Sequence, residues 1–192
     1  PLFRKAISTS VPRQVDEDIE DHVVICTYTP RAESLVEELE ANGVSYVLVE
    51  PDRDDATELL EDGWEVVNAN PESVSGLENV NVSEARGVVA DISDQVDASI
   101  VLAAREATEE VKVVSVVEDT ELAGYHSLAG ADVVLRPRQQ LGRSLASKIT
   151  TTVSSKDDNV QIGEEFEIAE VPVLRDSELV GKTLAESRIR ER

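Results

Sequence analysis

The sequence predicts an α/β fold, a doubly wound Rossmann-like parallel sheet in the strand order 3-2-1-4-5-6. Short apolar runs, of the length of buried strands, alternate along residues 22–135 with longer segments that carry a helical stripe. Such alternation requires parallel strands joined by right-handed crossovers, and this strand order is the common solution. Hydrophobic residues make up 41% of the chain and aromatic residues only 3%, which suits a sheet packed with Val, Leu, Ile and Ala.

The predicted elements follow one another with short connections. The strands are predicted at residues 22–26, 46–49, 65–67, 87–90, 112–117 and 133–135. The helices are predicted at residues 31–42, 54–62, 98–108 and 120–129, and residues 70–84 are expected to form a loop with at most one helical turn. Gly43, Gly63 and Gly130 follow three of these helices, where a left-handed residue commonly ends a helix. Both Val101 and Leu102 are expected to face the core.

The chain divides into four predicted segments. Residues 1–20 mix basic and acidic side chains, and we interpret them either as a disordered tail or as a juxtamembrane-type linker. Residues 21–140 form the α/β domain. Residues 141–163 contain a helix with an apolar stripe and then a polar hinge. Residues 164–192, with a strand predicted at 167–173, are expected to begin a small α+β subdomain that the chain does not complete.

The charge of the chain is strongly acidic. Forty acidic residues stand against 18 basic ones, which gives a net charge of −22. Such a surface repels itself in dilute buffer, and concentrated salt removes the repulsion by screening. We therefore expect a halophilic protein of haloarchaeal type, with an ordinary acidic protein as the alternative. A nucleic-acid partner is excluded, because phosphate contacts need a basic face.

The remaining composition predicts a soluble cytosolic chain. A single cysteine, Cys26, excludes an intramolecular disulfide. No apolar run approaches the roughly 20 residues of a membrane-spanning helix, and no signal peptide is visible.

A glycine loop is expected after the first strand of a Rossmann fold, because it lets the backbone approach a pyrophosphate at the next helix N-terminus. The corresponding positions here are Thr27, Thr29 and Ala32, so all three glycines are replaced. Thr29 is expected to cap the helix that begins at Pro30. The phosphate seat is therefore predicted to be compromised by side-chain bulk.

Three further groups fall near the predicted carboxyl edge of the sheet. Glu50 ends the second strand, where an acidic residue can hold ribose hydroxyls. The basic residues Arg31, Arg136 and Arg138 are candidates either for phosphate contacts or for pairing with nearby acids. The acidic residues Asp91, Asp94 and Asp97 are weak candidates for a cation site, against the alternative of a solvated acidic face. No catalytic constellation is visible, since neither His22 nor His126 has a credible partner in the sequence.

Several longer motifs together carry a family resemblance. They are DHVVIC at 21–26, ARGVVA at 85–90, IVLAARE at 100–106, AGADVV at 129–134 and LVGKTL at 179–184. With these motifs, residues 22–153 resemble the regulator-of-potassium-conductance domain, called RCK or KTN, the N-terminal domain of Trk-type potassium systems. Residues 166–184 resemble the opening of that family's C-terminal subdomain.

The resemblance implies a nucleotide site. In the family, NAD(H) or ATP/ADP binds the glycine loop, the acidic end of the second strand and a Gly-Asp pair after the third. The last of these falls on Ala69 and Asn70 in this chain. Because the glycines are lost, binding is predicted to be weak or absent, with any residual nucleotide held by Glu50 and Asn70 through its ribose.

The resemblance also implies an assembly and a function. Family members form dimers and octameric rings through a crossover helix, which matches residues 141–153 and places Leu141, Leu145 and Ile149 at a dimer interface. The expected function is that of a regulatory domain, not an enzyme, that controls potassium transport at the cytoplasmic face of the cell membrane. The alternative is a ligand-free assembly module of the same complex. An NAD-dependent oxidoreductase would need an intact glycine loop and a catalytic group, and the sequence shows neither.

Overall fold

The computed structural model describes residues 10–16 and 18–150, without the side chain of Thr150. The strands are β1 (Val23–Cys26), β2 (Tyr46–Glu50), β3 (Val66–Asn68), β4 (Gly87–Ala90), β5 (Lys112–Val116) and β6 (Val133–Leu135). The helices are α1 (Pro30–Ala41), α2 (Arg53–Glu61), α3 (Val74–Glu78), α4 (Asp94–Ala107), α5 (Ala123–Ala129) and α6 (Pro137–Thr150). A short 3-10 helix, Val82–Glu84, precedes β4.

The six strands form one parallel sheet in the order β3-β2-β1-β4-β5-β6, which confirms the predicted topology. In the register of the central strands, Ile25 of β1 lies between Leu48 of β2 and Val89 of β4. The connections between neighbouring parallel strands carry helices, as right-handed crossovers require. The order reverses between β1 and β4, and this reversal positions the candidate site.

Each face of the sheet carries its own hydrophobic core. On one face, Val23 and Ile25 of β1 pack with α1 and α2 residues such as Ala32 and Ala56. On the other face, Val24 packs with residues of α3 and α4. Successive residues of β1 point to opposite faces, so a strand covered on both sides is apolar throughout. The helices α1 and α4 therefore lie on opposite faces of the sheet.

The described part of the N-terminal segment packs against the open edge of the sheet. The backbone N–H of Asn68, on edge strand β3, donates to Pro12 O at 2.9 Å, and Val15 N donates to Asn79 O at 2.9 Å. Val11 packs on one core and Val15 on the other. An exposed edge strand is a site for unwanted pairing, and this segment covers part of it.

Helix α4 begins at Asp94, one turn earlier than the sequence analysis expected. Ser93 caps it, since its hydroxyl accepts from Val96 N at 3.5 Å. The buried positions Asp97, Ile100, Val101 and Ala104 form the helical stripe toward the core. The expectation that Leu102 faces inward is wrong: Leu102 is 58% exposed, because it lies a third of a turn away from Val101.

Several predictions for the chain after residue 70 differ from the structure or lie beyond the residues that it describes. The region predicted as a loop, 70–84, contains α3 and the 3-10 helix. The chain divides into two compact units between Leu141 and Gly142. The helix predicted from residue 141 begins earlier, at Pro137, and its Leu141, Leu145 and Ile149 side chains are exposed. The predicted hinge, the strand at 167–173 and the subdomain at 164–192 lie outside the described residues.

Among the described helices, none has the length and hydrophobicity that crossing a bilayer requires.

Candidate functional site

The candidate site is the crevice at the carboxyl ends of β1 and β4. The strand order reverses there, and the following helices leave toward opposite faces of the sheet. Ligands of open α/β sheets bind in the crevice at this switch point. The loop after β1 carries Thr27 and Thr29, and the loop after β4 carries Asp91.

Thr27 keeps the backbone conformation of a glycine. Its φ angle is +69°, in the left-handed region that a β-branched residue rarely adopts. Its N–H donates to Val49 O at 2.9 Å, while its Oγ1 is buried and has no hydrogen-bond partner among the described residues. The first glycine position is therefore strained by the threonine that fills it.

Thr29 and Ala32 act differently from Thr27. Thr29 has an extended backbone, with φ −135°, and its Oγ1 accepts from Ala32 N at 3.2 Å, as predicted for an N-cap. Ala32 is 4% exposed and packs in the core beneath α1. Neither residue has a backbone conformation that requires glycine. Together they instead satisfy one backbone N–H at the N-terminus of α1, since the N–H of Ala32 is bound by the Thr29 hydroxyl.

Arg31 and Asp91 form a two-armed ion pair across the crevice. Nε and one terminal nitrogen of Arg31 donate to the two carboxylate oxygens of Asp91, at 2.7 Å and 2.5 Å. The hydroxyl of Thr29 donates to the same carboxylate at 3.3 Å. The Asp91 side chain is only 11% exposed. We call Thr29, Arg31 and Asp91 the crevice clasp, because it joins α1 to the end of β4.

The clasp is extended by Glu118, which follows β5. The other terminal nitrogen of Arg31 donates to Glu118 Oε1 at 2.7 Å, and Arg138 Nε lies 2.8 Å from Glu118 Oε2. The hydrogen bond to Asp91 raises the pKa of Arg31; burial acts in the opposite direction, and the contact with Glu118 raises the pKa further. Two of the three candidate phosphate-binding arginines are thus paired with acids. The third, Arg136, is exposed.

The Asp94 side chain accepts hydrogen bonds from the backbone after β5. Its two carboxylate oxygens accept from Glu118 N at 2.9 Å and from Asp119 N at 3.0 Å. Asp91 is held by Arg31, so two of the three acids proposed for a cation site are engaged by protein donors. Within residues 10–16 and 18–150, no group of three or more His, Cys, Asp or Glu side chains converges to hold a metal ion.

Glu50 lies at the end of β2, as expected, but it faces inward. The residue is 5% exposed, and its Oε1 accepts from Asp52 N at 3.1 Å. Burial raises the pKa of this carboxyl, while the N–H groups of Asp52 and Tyr28 act in the opposite direction. A ribose that bound Glu50 would have to compete with these backbone donors.

Asn70, the other candidate ribose contact, is exposed in the loop after β3. Its Oδ1 accepts from Glu72 N at 3.0 Å, which shapes the turn before α3. The sequence analysis missed Asn68, whose Nδ2 donates to Glu50 O at 2.9 Å and to Pro51 O at 3.0 Å. An amide side chain at the end of an otherwise apolar strand is the signal that marks such a residue.

Asp97 is the most perturbed acid beside the crevice. It is 1% exposed on α4, and its Oδ1 accepts from Ile92 N at 2.8 Å. Burial raises its pKa to about 7, with repulsion from Asp91 and Asp94 acting in the same direction. The sequence analysis grouped it with Asp91 and Asp94, either as a weak cation site or as part of a solvated acidic face. Its spacing of three and four from Ile100 and Val101 was the signal that it faces the core.

The TrkA-N domain family matches residues 23–137, which is more than half of the chain and covers the whole sheet. The chain belongs to the TrkA-N family. The matched region includes every residue of the crevice clasp, so the candidate site lies within the TrkA-N domain.

Solved structures of related domains share this TrkA-N fold. The RCK domain of GsuK is 28% identical over 70% of this chain, with a TM-score of 0.66. GsuK bound to ADP is 26% identical over 76% of this chain, with a TM-score of 0.70. This chain spans 30% and 39% of those two chains. The TrkA-N domain of the inner membrane protein ybaL from Escherichia coli, at 21% identity, covers 69% of this chain and 98% of its own, with a TM-score of 0.63, and shows the fold alone.

The predicted RCK resemblance is therefore confirmed at the level of family and fold. The TrkA-N domain described here differs from an open dinucleotide site in two physical respects. Its crevice is crossed by an intrachain ion pair, and the positions of the glycine loop carry side chains.

Proposed function

We propose that this TrkA-N domain regulates potassium transport through an attached or associated membrane channel or transporter, and that it does so at the cytoplasmic face of the cell membrane. The observation that carries the proposal is the match of the TrkA-N family to the whole six-stranded sheet, together with the likeness to an RCK domain over 70% of this chain. One solved relative is a channel bound to NAD. The regulatory role follows by this likeness and not from any catalytic group of the chain.

The domain acts through self-association. Helix α6 exposes Leu141, Leu145 and Ile149 at 61%, 55% and 81%, spaced by four residues so that they form one apolar stripe. No acidic residue occurs from 133 to 156, although the chain as a whole carries 40. An apolar stripe bordered by positive charge complements the acidic surface of a second copy. A homodimer, built into a larger ring, is the expected assembly.

Ligand control of that assembly has two forms. In the first, a nucleotide binds the crevice and shifts the ring between two geometries by its different affinity for each. The relatives bound to NAD and to ADP favour this form. In the second, the crevice is empty of nucleotide and the domain is a structural module of the same complex. The crevice clasp and the strained Thr27 favour the second form, and NAD(H) or ATP/ADP binding is expected to be weak or absent.

An oxidoreductase is the less favoured alternative. A hydride-transfer enzyme needs a seated nicotinamide dinucleotide and a group that moves a proton near it. In the described crevice, Arg31 and Arg138 are paired with acids, and Glu50 and Asp97 are buried against backbone donors. Added NAD and a set of small alcohols should therefore give no change in absorbance from nicotinamide reduction.

The test of the proposed function is a rubidium-flux measurement. Vesicles are prepared from cells that make the full protein and from cells in which the segment coding for this chain has been deleted, with the membrane part retained. The proposal predicts that the flux at equal amounts of membrane protein differs between the two preparations. Equal flux over the range of potassium and nucleotide concentrations that the cell experiences would contradict it.

A further inference from the structure

We propose that Asp91 is an internal substitute for a ligand's phosphate, and that it makes the crevice reject phosphate-bearing ligands. The inference deepens the regulatory function proposed above and rests on it only for the consequence for gating. The binding behaviour itself is argued from the crevice clasp.

The position of the Asp91 carboxylate is the first argument. A phosphate in this fold type binds at the switch point, at the N-terminus of the helix that follows β1. Here the carboxylate occupies that end of α1, where it accepts from the capping hydroxyl of Thr29 and from two nitrogens of Arg31. A planar carboxylate on a guanidinium makes the same forked contact as a phosphate.

The engagement of the forked donors is the second argument. Hydrogen bonds use three of the five N–H groups of Arg31: Asp91 accepts from Nε and Nη2, which form the fork, and Glu118 accepts from Nη1. The Thr29 hydroxyl accepts from Ala32 N and donates to Asp91, so it has no second proton to offer. An entering phosphate could therefore not make the forked contact with Nε and Nη2 of Arg31, or take the Thr29 proton, without displacing Asp91.

The third argument is charge. Asp91 is 11% exposed on its side chain, and Glu118 is 33% exposed. A pyrophosphate that displaced Asp91 from Arg31 would leave a poorly solvated carboxylate beside a multiply charged anion. Two like charges that lie side by side in a partly buried site repel each other strongly. The free energy lost when Asp91 is displaced therefore exceeds the stabilisation from the new phosphate contact with Arg31. The ion pair between Arg31 and Asp91 stays intact.

The consequence is that a single residue sets the ligand class. With Asp91 present, only ligands without phosphate fit beside the clasp. In Asp91→Asn the amide keeps one acceptor oxygen but has no charge, so Arg31 keeps Glu118 as its one charged partner in the crevice clasp and its forked contact with residue 91 is broken. The variant Asp91→Asn should thus uncover an anion site that the native chain conceals.

The experiment is titration calorimetry of the 192-residue chain with inorganic pyrophosphate and, separately, with ATP, at one fixed KCl concentration. The native chain should show no saturable binding. Asp91→Asn should bind pyrophosphate at least about tenfold more tightly than the detection limit for the native chain, a difference of about 1.4 kcal/mol. The double variant Asp91→Asn/Arg31→Gln should lose this gain. Glu118→Gln is the matched control, because it removes a neighbouring charge without freeing the forked donors, and it should remain without binding.

Two outcomes would overturn the proposal. One is saturable pyrophosphate binding by the native chain that equals binding by Asp91→Asn, and the other is a folded Asp91→Asn chain that binds neither probe. Circular dichroism checks the fold, and Asp91→Ser serves as a second variant if Asp91→Asn does not fold. The native chain gives an independent readout at constant ionic strength: a melting temperature that rises more with pyrophosphate than with KCl of the same ionic strength would also overturn the proposal. None of these results depends on potassium flux, so this proposal and the proposed function can fail separately.

Discussion

The side chain of Arg105 lies directly against Gly130. Its Nε donates to Gly130 O at 2.8 Å, and a Cβ on Gly130 would come within 2.8 Å of Arg105 Cγ. The two terminal nitrogens donate to Val111 O and to Asp132 Oδ2, each at 2.6 Å. One arginine of α4 therefore binds both the residue that precedes β5 and the loop that precedes β6. The motifs at 100–106 and 129–134, which carried the family resemblance, meet in this cluster.

Replacing Gly130 should be costly for two separable reasons. Gly130 has φ +110°, and Gly63 has φ +96° with no atom near an added Cβ. Gly63→Ala should therefore cost about 1–2 kcal/mol of unfolding free energy, from backbone strain alone. Gly130→Ala should cost about 2–4 kcal/mol, because the clash with Arg105 adds to the strain. Urea denaturation of both variants measures the difference, and equal losses would contradict the packing role of Gly130.

Thr27 and Thr29 should respond in opposite directions to glycine. Thr27→Gly relieves a left-handed β-branched residue and removes a buried unpaired hydroxyl, so it should raise the unfolding free energy by about 1–2 kcal/mol. Thr29→Gly removes the contact to Asp91 and part of the cap of α1. This substitution should therefore lower the unfolding free energy by up to about 1 kcal/mol. Chemical denaturation at fixed KCl compares the two. A loss of stability in Thr27→Gly would show that the threonine is not strained.

Asp97 should make the protein less stable as the pH rises toward neutrality. Its folded pKa of about 7 lies above the ordinary 3.8, so the folded state holds a proton that the unfolded state has lost. That contribution is fully present below about pH 3.8 and is lost progressively as the pH rises to about 7. Asp97→Asn keeps the shape without the charge. Its stability should fall by about 2 kcal/mol less than that of the native chain between about pH 5 and pH 8.

The comparison with the variant is needed because other acids respond differently. The pKa of Asp132 is lowered, first by the N–H of Val113, and the pKa of Asp21 is lowered by Arg86. Their contributions cancel between the native chain and Asp97→Asn. Thermal melts at the two pH values measure the difference, and parallel pH profiles would contradict a buried, protonated Asp97.

Salt should stabilise the folded chain. At a net charge of −22 the surface repels itself in dilute buffer, and about 2 M KCl shortens the Debye length to a few ångström and removes most of that repulsion. The melting temperature should therefore rise steeply with KCl. The crevice clasp and other ion pairs are weakened by the same screening, so the rise measures a net effect. Equal midpoints in dilute and concentrated KCl would refute the halophilic interpretation.

The sheet was predictable because its strands are short, largely apolar runs and three of the helices are followed by a glycine. Helix α4 was placed one turn late, since Ser93 was not read as its cap. The crevice clasp was beyond a reading of the sequence for a different reason. Arg31 and Asp91 lie 60 positions apart, and only the folded topology brings their side chains together. The burial of Glu50 and Asp97 likewise depends on which neighbours cover them, which one acidic residue among 40 does not reveal.

The most direct test of the regulatory account is rubidium flux through the full protein with one leucine of helix α6 changed. Leu145→Asp places a charge in the apolar stripe, while Ser144→Asp adds the same charge beside it on the same helix. The account predicts that Leu145→Asp shifts the flux to the level measured without this domain, and that Ser144→Asp keeps the native flux. Native flux in both variants, at equal protein levels, would contradict the claim that the domain regulates transport by assembling through α6.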